Sequence, residues 1–254
     1  MARRVLSNLD EAMESLTNLK ELRRGLVRVA APETLSCTLL PALIAAYRNS
    51  YPGVDVRFDD VPIQQVLAGL QNGSTDIGFG PAGVIADEAL EALMICADPL
   101  WVALRPDDPL AAGASVNWKD LRDRPLINYM PNIAINVLSN VPPRHHPRDL
   151  VPVHRVNTAL SMLRVRQGAV ICPFMAESLV HGFGLVFLPL KQPTVRWKIA
   201  LLARRRRSLS PAVASFLNFT MDFTPKWATI GLQNRRAAGR HTGSRRKPSR
   251  VERV

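Results

Sequence analysis

The apolar positions in the first third of the chain change their period in a regular order. Short runs typical of β-strands occupy residues 26–30, 54–58 and 76–80, and stripes with helical spacing lie between them at 35–47 and 62–72. Apolar residues that recur three or four positions apart mark one face of a helix, whereas a short bounded apolar run is typical of a buried strand. The order strand, helix, strand, helix, strand predicts a parallel sheet covered by helices.

The rest of the chain up to about residue 223 continues this α/β pattern. The proline-rich residues 140–150 interrupt it as a loop. Two late apolar runs predict strands that return to the first unit, and Ser210-Pro211 is a favourable start for a closing helix. The predicted strands are 100–105, 125–129, 151–156, 169–172, 185–188 and 195–203, and the predicted helices are 117–121, 157–167 and 210–223.

A polar segment at residues 3–23 carries an apolar stripe ahead of the first predicted strand. The spacing of its apolar residues is typical of an amphipathic helix with coiled-coil character, and Gly25 ends it. We expect this helix to pack on a second copy of the chain, and packing on its own domain is the alternative. The predicted dimerisation residues are Leu6, Leu9, Met13 and Leu16.

The net charge of +12 comes largely from the C-terminal end. Residues 234–254 hold eight of the 33 lysines and arginines but only one of the 21 acidic residues, and very few apolar side chains. Such a segment cannot bury enough apolar surface to offset the entropy lost on ordering it. The sequence therefore predicts a disordered basic tail, for which nonspecific attraction to phosphate is the alternative role.

Composition indicates a globular protein, since hydrophobic residues make up 47% of the 254 positions. No apolar run reaches the roughly 18 residues of a membrane-spanning helix, and the N-terminus lacks the apolar core of a signal peptide. These features predict a cytoplasmic protein. The cysteines Cys37, Cys96 and Cys172 lie far apart, which favours free thiols over disulfides or zinc ligands.

The sequence lacks motifs that would indicate catalysis. It has no G-x-S-x-G, no phosphate-binding P-loop and no H-E-x-x-H. The pairs His145-His146 and Asp59-Asp60 are interpreted as loop and strand-end residues rather than as metal ligands or general acids. We therefore expect no enzyme activity, no cofactor and no bound metal.

Several short motifs follow one another in a characteristic order. Residues 26–80 contain Leu39-Leu40-Pro41, then Tyr51-Pro52-Gly53-Val54, then GSTDIGF at 73–79. PLWVALRPDDPLA follows at 99–111 and VRQGAVICPFMA at 165–176. In this order and spacing the motifs resemble the effector-binding domain of LysR-type transcription regulators, and residues 1–24 resemble the linker helix that precedes that domain.

The resemblance implies an α/β fold of two Rossmann-like subdomains of the periplasmic-binding-protein type, preceded by an N-terminal linker helix. It places the linker at 1–24, subdomain I at 25–98 and 184–224, and subdomain II at 99–183. LysR-type regulators begin with a winged helix-turn-helix that contacts DNA, and Met1 falls where that domain would be ending. We therefore expect the chain to lack it, and to reach DNA only through such a domain.

The implied ligand site lies in the crevice between the subdomains. Ligands of open α/β sheets bind beyond the carboxyl ends of the strands, where the starts of helices present free N–H groups. Ile63 stands where the family has a hydroxyl, which removes a contact for a carboxylate ligand, and Gln64 is the polar neighbour that could substitute. The predicted ligand-binding residues are Thr34, Ser36, Ile63, Gln64, Gly80, Asn128, Met130, Asn157 and Thr158.

The function implied by the resemblance is the sensing of a small-molecule effector. Self-association as a dimer or tetramer through the linker helix is expected, and no membrane partner is. A stand-alone solute-binding protein of the two-lobed periplasmic type is the alternative, although the missing export signal and the linker helix count against it. The third alternative, an enzyme on a related two-lobed fold, is opposed by the missing catalytic motifs.

Overall fold

The structure, a computed structural model, describes residues 25–83, 88–130, 137–205 and 209–238. The strands are β1 (Gly25–Ala31), β2 (Val54–Asp60), β3 (Ile77–Pro81), β4 (Leu90–Leu104), β5 (Val116–Asn117), β6 (Pro125–Asn128), β7 (Asp149–Pro152), β8 (Val170–Pro173), β9 (Val186–Lys191) and β10 (Arg196–Arg204). The α-helices are α1 (Glu33–Cys37), α2 (Leu39–Ser50), α3 (Ile63–Asn72), α4 (Val156–Val165), α5 (Glu177–Gly182) and α6 (Pro211–Ala238).

The first lobe is built on β1, which pairs in parallel with β2 on one side and β3 on the other. All residues of β3 are buried, and α3 packs closely on this strand because glycines replace side chains there. A Cβ added to Gly80 would lie 2.6 Å from Ile63 Cδ1, and one added to Gly78 would lie 2.6 Å from Val66 Cγ1. This close approach holds the start of α3 beside the carboxyl end of β3.

The second lobe has its own apolar core beneath α4 and α5. Strands β6 and β7 pair in parallel, and an isolated bridge between Leu126 and Ala169 joins them to the segment before β8. The aromatic ring of Trp101 lies 4.7 Å from that of Phe174 and 5.4 Å from that of Phe187, measured between centroids. These rings pack with the apolar face of α4, so the helix start is fixed relative to the ends of β6 and β7.

Two antiparallel strands, β4 and β10, connect the lobes. The N-terminal half of β4 pairs with β10, and its C-terminal half pairs with β8 and β9. On the other side β10 pairs with β3, so one continuous sheet with the order β2-β1-β3-β10-β4-β9-β5 passes through both lobes. Ile199 of β10 pairs with Cys96 of β4, and the next residue, Ala200, pairs with Met94. Ile95 therefore has no partner in the ladder and forms a β-bulge. A bulge of this kind bends a strand pair and increases its twist.

The closing helix α6 packs on α2 through a cluster of aromatic rings. The centroid of the Tyr47 ring lies 4.8 Å from those of Tyr51 and Phe216, and 5.4 Å from that of Phe219. The Tyr47 hydroxyl is hydrogen-bonded to the hydroxyl of Ser215. Tyr47 and Phe216 are fully buried, so this contact ties the end of the chain to the first lobe.

Helix α5 was not predicted from the sequence, and two predicted elements differ in their extent for a clear physical reason. The strand predicted to begin at residue 100 begins at Leu90, because its first half pairs with β10. The single helix predicted over 35–47 is two helices that meet at Thr38, whose φ of −117° and ψ of −71° depart from helical values. The Thr38 hydroxyl donates to the carbonyl of Thr34 at 2.6 Å, a local hydrogen bond that competes with a regular helix.

The described residues include no part of the predicted linker helix and only the first part of the predicted basic tail. Helix α6 is described as far as Ala238, and the disorder of the basic tail stays a prediction. The predicted dimerisation residues Leu6, Leu9, Met13 and Leu16 lie outside the described residues, as does the remainder of the basic tail. The limit at residue 184 stays a prediction, and the pairing of β9 with the C-terminal half of β4 favours a return point after Lys191.

Within the described ranges, no helix is both long and apolar enough to cross a bilayer. The same ranges place no group of three or more histidine, cysteine or acidic side chains where they could share a metal ion.

The ion pair between Arg28 and Asp76 predicts a loss of stability in acid. Arg28 donates to Asp76 from its backbone amide at 3.0 Å and from its guanidinium at 2.8 and 3.0 Å. Burial raises the pKa of Asp76, but these hydrogen bonds and the arginine charge outweigh it and hold the pKa below 3.8. A group with a lowered folded pKa stabilises the protein above its unfolded pKa, and this contribution is lost as the pH falls through the folded value.

We therefore expect the wild-type protein to lose more stability than Asp76→Asn between pH 5 and pH 2. Urea unfolding at each pH measures the difference. Asp55→Asn is the matched control, because the ion pair of Asp55 with Arg57 is largely exposed and its two charged atoms lie 3.5 Å apart. Equal acid sensitivity of the wild type and Asp76→Asn would contradict this interpretation.

Candidate ligand-binding site

A cavity of about 380 Å³ lies between the two lobes. Most of its first-lobe lining lies at or just after the ends of β1, β2 and β3, and most of its second-lobe lining lies at or just after the ends of β6 and β7. Two more open depressions, of about 540 and 500 Å³, do not face the helix starts of both lobes. The cavity therefore occupies the place where open α/β sheets bind their ligands.

The first-lobe wall contains two prolines, Pro32 and Pro62, whose own backbone is extended. Each of them directly precedes a helix. The N–H groups in the first turn of a helix have no partner within that helix. Helix α3 is 10 residues long, so its start at Ile63 also carries the positive end of a helix dipole. Ile63 and Gln64 both line the cavity, and Ile63 is buried while Gln64 is exposed.

The second-lobe wall is held by a turn at the end of β6. The side chain of Asn128 accepts from the amide of Met130 and donates to its carbonyl, both at 3.1 Å. This pair of hydrogen bonds keeps Met130 at the cavity, where its side chain is 6% exposed. Val153 and Val156 continue the same wall up to the start of α4.

Two polar contacts join the walls across the cavity. Asn157 Nδ2 donates to Glu33 Oε1 at 2.8 Å. Arg155 Nη1 lies 3.6 Å from Asp60 Oδ2, and the two side chains are 50% and 37% exposed. In each contact one residue belongs to the first lobe and the other to the start of α4, so the structure holds the lobes in a closed arrangement.

The hydroxyl of Tyr129 is buried at this junction and makes no well-formed hydrogen bond with any described residue. Thr34 of the first lobe and Cys172 of the second lie beside it. Burial raises the pKa of Tyr129 well above 10 and that of the Cys172 thiol to about 12. Both groups are therefore neutral at physiological pH, and the tyrosine hydroxyl has an unused capacity for hydrogen bonding.

Residues 20–224 match the family described as the LysR substrate binding domain. The chain belongs to this family. YfeR of Shigella flexneri, an uncharacterized HTH-type transcriptional regulator, is 27% identical over 238 residues, which are 86% of this chain and 71% of that protein. BenM of Acinetobacter baylyi, an HTH-type transcriptional regulator, is 25% identical over 209 residues, which are 79% of this chain and 67% of BenM.

Solved structures of LysR domains have the same fold. The effector-binding domain of QuiR in complex with shikimate has a TM-score of 0.69 at 19% identity, covering 80% of this chain and 98% of that one. The BenM effector-binding domain with its effector benzoate has a TM-score of 0.68 at 23% identity, covering 80% of this chain and 94% of that one. The predictions of a LysR effector-binding domain and of its two-lobed α/β fold are confirmed.

The cleft of this LysR domain brings many of the predicted ligand residues together. Ser36 is not among the lining residues, and its hydroxyl proton has three acceptors within reach, the carbonyls of Ala31 and Pro32 and Asp60 Oδ1. Gly80, Asn157 and Thr158 are also outside the lining. Gly80 lies beneath Ile63, Asn157 donates a hydrogen bond to Glu33, and Thr158 is exposed. Ligand contact stays a prediction for all nine. Those that line the cavity are Thr34, Ile63, Gln64, Asn128 and Met130.

Among the cleft-lining residues that the sequence analysis did not predict, Glu33, Tyr129 and Trp197 bear most on its chemistry. Glu33 precedes the predicted residue Thr34, and Tyr129 follows the predicted residue Asn128. This adjacency was the only sign in the sequence that they could reach the cleft. Trp197 lies on β10, more than 100 positions along the chain from the first-lobe helices, and its place in the cleft depends on the pairing of β10 with β3. Nothing local to the sequence around it indicates a ligand site.

The buried Tyr129 hydroxyl predicts a stabilising substitution. A buried polar group without a good partner costs about 1–3 kcal/mol, so we expect Tyr129→Phe to raise the free energy of unfolding by about 1 kcal/mol. Tyr47→Phe is the control with the opposite expected sign, because it breaks the hydrogen bond with Ser215 and loses about 1 kcal/mol. Urea denaturation measures both changes, and a loss of stability in Tyr129→Phe would contradict this account.

Proposed function

We propose that this LysR domain senses a small organic effector in the cleft and communicates its presence to transcription. The observation that carries the proposal is a cavity at the strand ends of both lobes, bridged by the Asn157–Glu33 hydrogen bond. A molecule in this position contacts both lobes at once. It therefore stabilises the closed arrangement relative to an open one, by the difference in its affinity for the two.

The walls of the cleft supply the contacts that a small effector needs. The starts of α3 and α4 offer N–H donors to an acceptor atom of the effector, at about 0.5–1.5 kcal/mol for each hydrogen bond formed. The apolar side chains of Ile63, Met130 and Trp197 line the same space. Its volume of about 380 Å³ lies near the lower end of the ~300–1,000 Å³ typical of small-molecule sites.

The effectors of two structural neighbours support an effector of this size. QuiR is described in complex with shikimate and BenM with its effector benzoate, and both are compact single-ring molecules. Since the curated relatives are transcriptional regulators, we infer that this chain likewise has no enzyme activity. We also infer that it acts in the cytoplasm, where the chromosome is.

We propose that residues 1–24 form the linker helix through which the chain dimerises. Closure of the lobes would then change how two copies are arranged, which is how a ligand event reaches another part of an assembly. Sedimentation of the full chain and of Leu9→Asp tests this step. The dimer is expected to dissociate in the variant, and an unchanged sedimentation coefficient would contradict the proposal.

The sensing proposal is tested by calorimetric titration of small metabolites into the full chain. The panel should include carboxylates, amines, sugars and neutral aromatic molecules, and we expect at least one to bind with a dissociation constant between micromolar and millimolar. Thr34→Val removes a buried hydroxyl at the cleft and should weaken that binding.

The matched control is Thr220→Val. Thr220 is also a buried threonine, but it lies on α6 and donates to the carbonyl of Phe216 at 2.7 Å. Its replacement should leave the affinity unchanged. Absence of any binding across the panel would contradict the proposed function, and equal effects of the two variants would place the ligand elsewhere.

A further inference from the structure

The acidic residue Glu33 has one carboxylate oxygen that lacks a hydrogen-bond donor. Its Oε1 accepts from Asn157 at 2.8 Å, whereas its Oε2 is buried and accepts no hydrogen bond from the described part of the chain. A buried charged acceptor without a donor is costly, and such an atom at a ligand site indicates a donor supplied by the ligand.

The charged side chains around the cavity favour a cation over an anion, and they oppose the positive dipole end at the start of α3. Among the described residues that line it, Glu33 and Asp60 are acidic, and Arg155 is the one with a permanent positive charge. Arg155 is already paired with Asp60, with 3.6 Å between the nearest charged atoms. An incoming carboxylate would therefore face Glu33 without an unpaired cation to offset the repulsion.

The start of α3 also departs from a carboxylate site. Ile63, the first residue of this helix, is apolar and 4% exposed, so its side chain supplies no hydrogen-bond donor to an anion. Val137, Trp197 and Pro81 add further apolar surface to the same cavity. The lining is therefore suited to an apolar molecular body that carries a hydrogen-bond donor at one end.

From these observations we propose that the effector is a protonated amine on a compact apolar body, with its ammonium group donating to Glu33 Oε2. This inference rests on the proposed function, because it names the chemical class of the molecule that the same cleft senses. An ammonium group offers three donors. One of them completes the hydrogen bonding of Glu33, and the others remain for acceptors of the cleft or for water.

Three probes with the same ring and different end groups test the inference by calorimetry at pH 7. Benzylamine is cationic, benzyl alcohol is a neutral donor and benzoate is anionic. We expect benzylamine to bind at least tenfold more tightly than benzyl alcohol, and benzoate to bind most weakly. Benzoate binding more tightly than benzylamine would overturn the inference.

The substitution Glu33→Gln identifies the residue responsible. Glutamine retains a carbonyl oxygen for Asn157, so the lobes keep their contact, but the negative charge is lost. We expect benzylamine affinity to fall at least tenfold while that of benzyl alcohol changes by less than threefold. Glu88→Gln is the matched control, because Glu88 is exposed in the turn before β4 and is not part of the cavity lining.

The outcomes separate the two proposals. If benzylamine affinity is the same in Glu33→Gln and Glu88→Gln, the ammonium does not bind at Glu33 and the inference is wrong. If carboxylates from the metabolite panel bind tightly and amines do not, effector sensing stands and only the assignment to amines fails. If no probe and no panel member binds, both proposals fail, and the thermal unfolding of each variant shows whether it had folded.

Discussion

Replacement of Phe216 by alanine is expected to lower the free energy of unfolding by about 3–5 kcal/mol, the range for truncating a buried phenylalanine. Phe216 is fully buried between α6 and the first lobe. Its ring meets that of Tyr47 edge to face, with centroids 4.8 Å apart. The substitution therefore removes both apolar burial and a favourable ring contact, and it leaves a cavity that the rigid sheet beneath cannot fill.

Chemical denaturation followed by circular dichroism measures this loss. The matched control is Met221→Ala on the same helix, because Met221 is 37% exposed and surface substitutions usually change stability by less than about 0.5 kcal/mol. If the two variants lose equal stability, α6 does not pack through Phe216 and the anchoring of the closing helix is misassigned.

The second large effect is expected at Ile63, where serine would place a hydroxyl at the start of α3. Ile63 packs over Gly80 in an apolar cluster with Ala30 and Leu202. Removing most of a buried isoleucine costs about 2–5 kcal/mol, so Ile63→Ser should be strongly destabilised. The new hydroxyl should at the same time raise benzoate affinity about tenfold, since a hydrogen bond to a charged group contributes about 1.5–3 kcal/mol.

Ile63→Val separates these two effects. It retains an apolar side chain at the start of α3, costs only about 0.5–1.5 kcal/mol, and should leave benzoate affinity unchanged. Calorimetry at a temperature where all three proteins are folded gives the affinities, and urea unfolding gives the stabilities. A rise in benzoate affinity in the valine variant as well would mean that added space, rather than the hydroxyl, is responsible.

The first lobe could be predicted from the sequence because its elements follow simple periods. Strands β1, β2 and β3 alternate with helical stripes, and the structure has them within a few residues of the predicted ranges. The N-terminal half of β4 was missed for a physical reason. Its buried residues Leu90, Ile95 and Leu100 are five positions apart, since the bulge at Ile95 interrupts the alternation by which a half-buried strand is recognised.

The cleft could be predicted only in part. Thr34, Ile63 and Gln64 were identified because the resemblance to LysR-type regulators implies ligand contacts at these two helix starts. The hydrogen bond between Glu33 and Asn157 joins residues 124 positions apart, and no local pattern indicates that they meet. Cross-lobe contacts depend on the pairing of β4 with β10, which sets the angle between the lobes and becomes known only from the assembled sheet.

The pairing of β4 with β10 has a mechanical consequence. Both connections between the lobes run side by side in one hydrogen-bonded ladder of nine register pairs, so neither can swivel independently as a free linker would. Any opening of the cleft therefore has to twist or bend this paired ladder as a whole, so the two lobes move as coupled bodies.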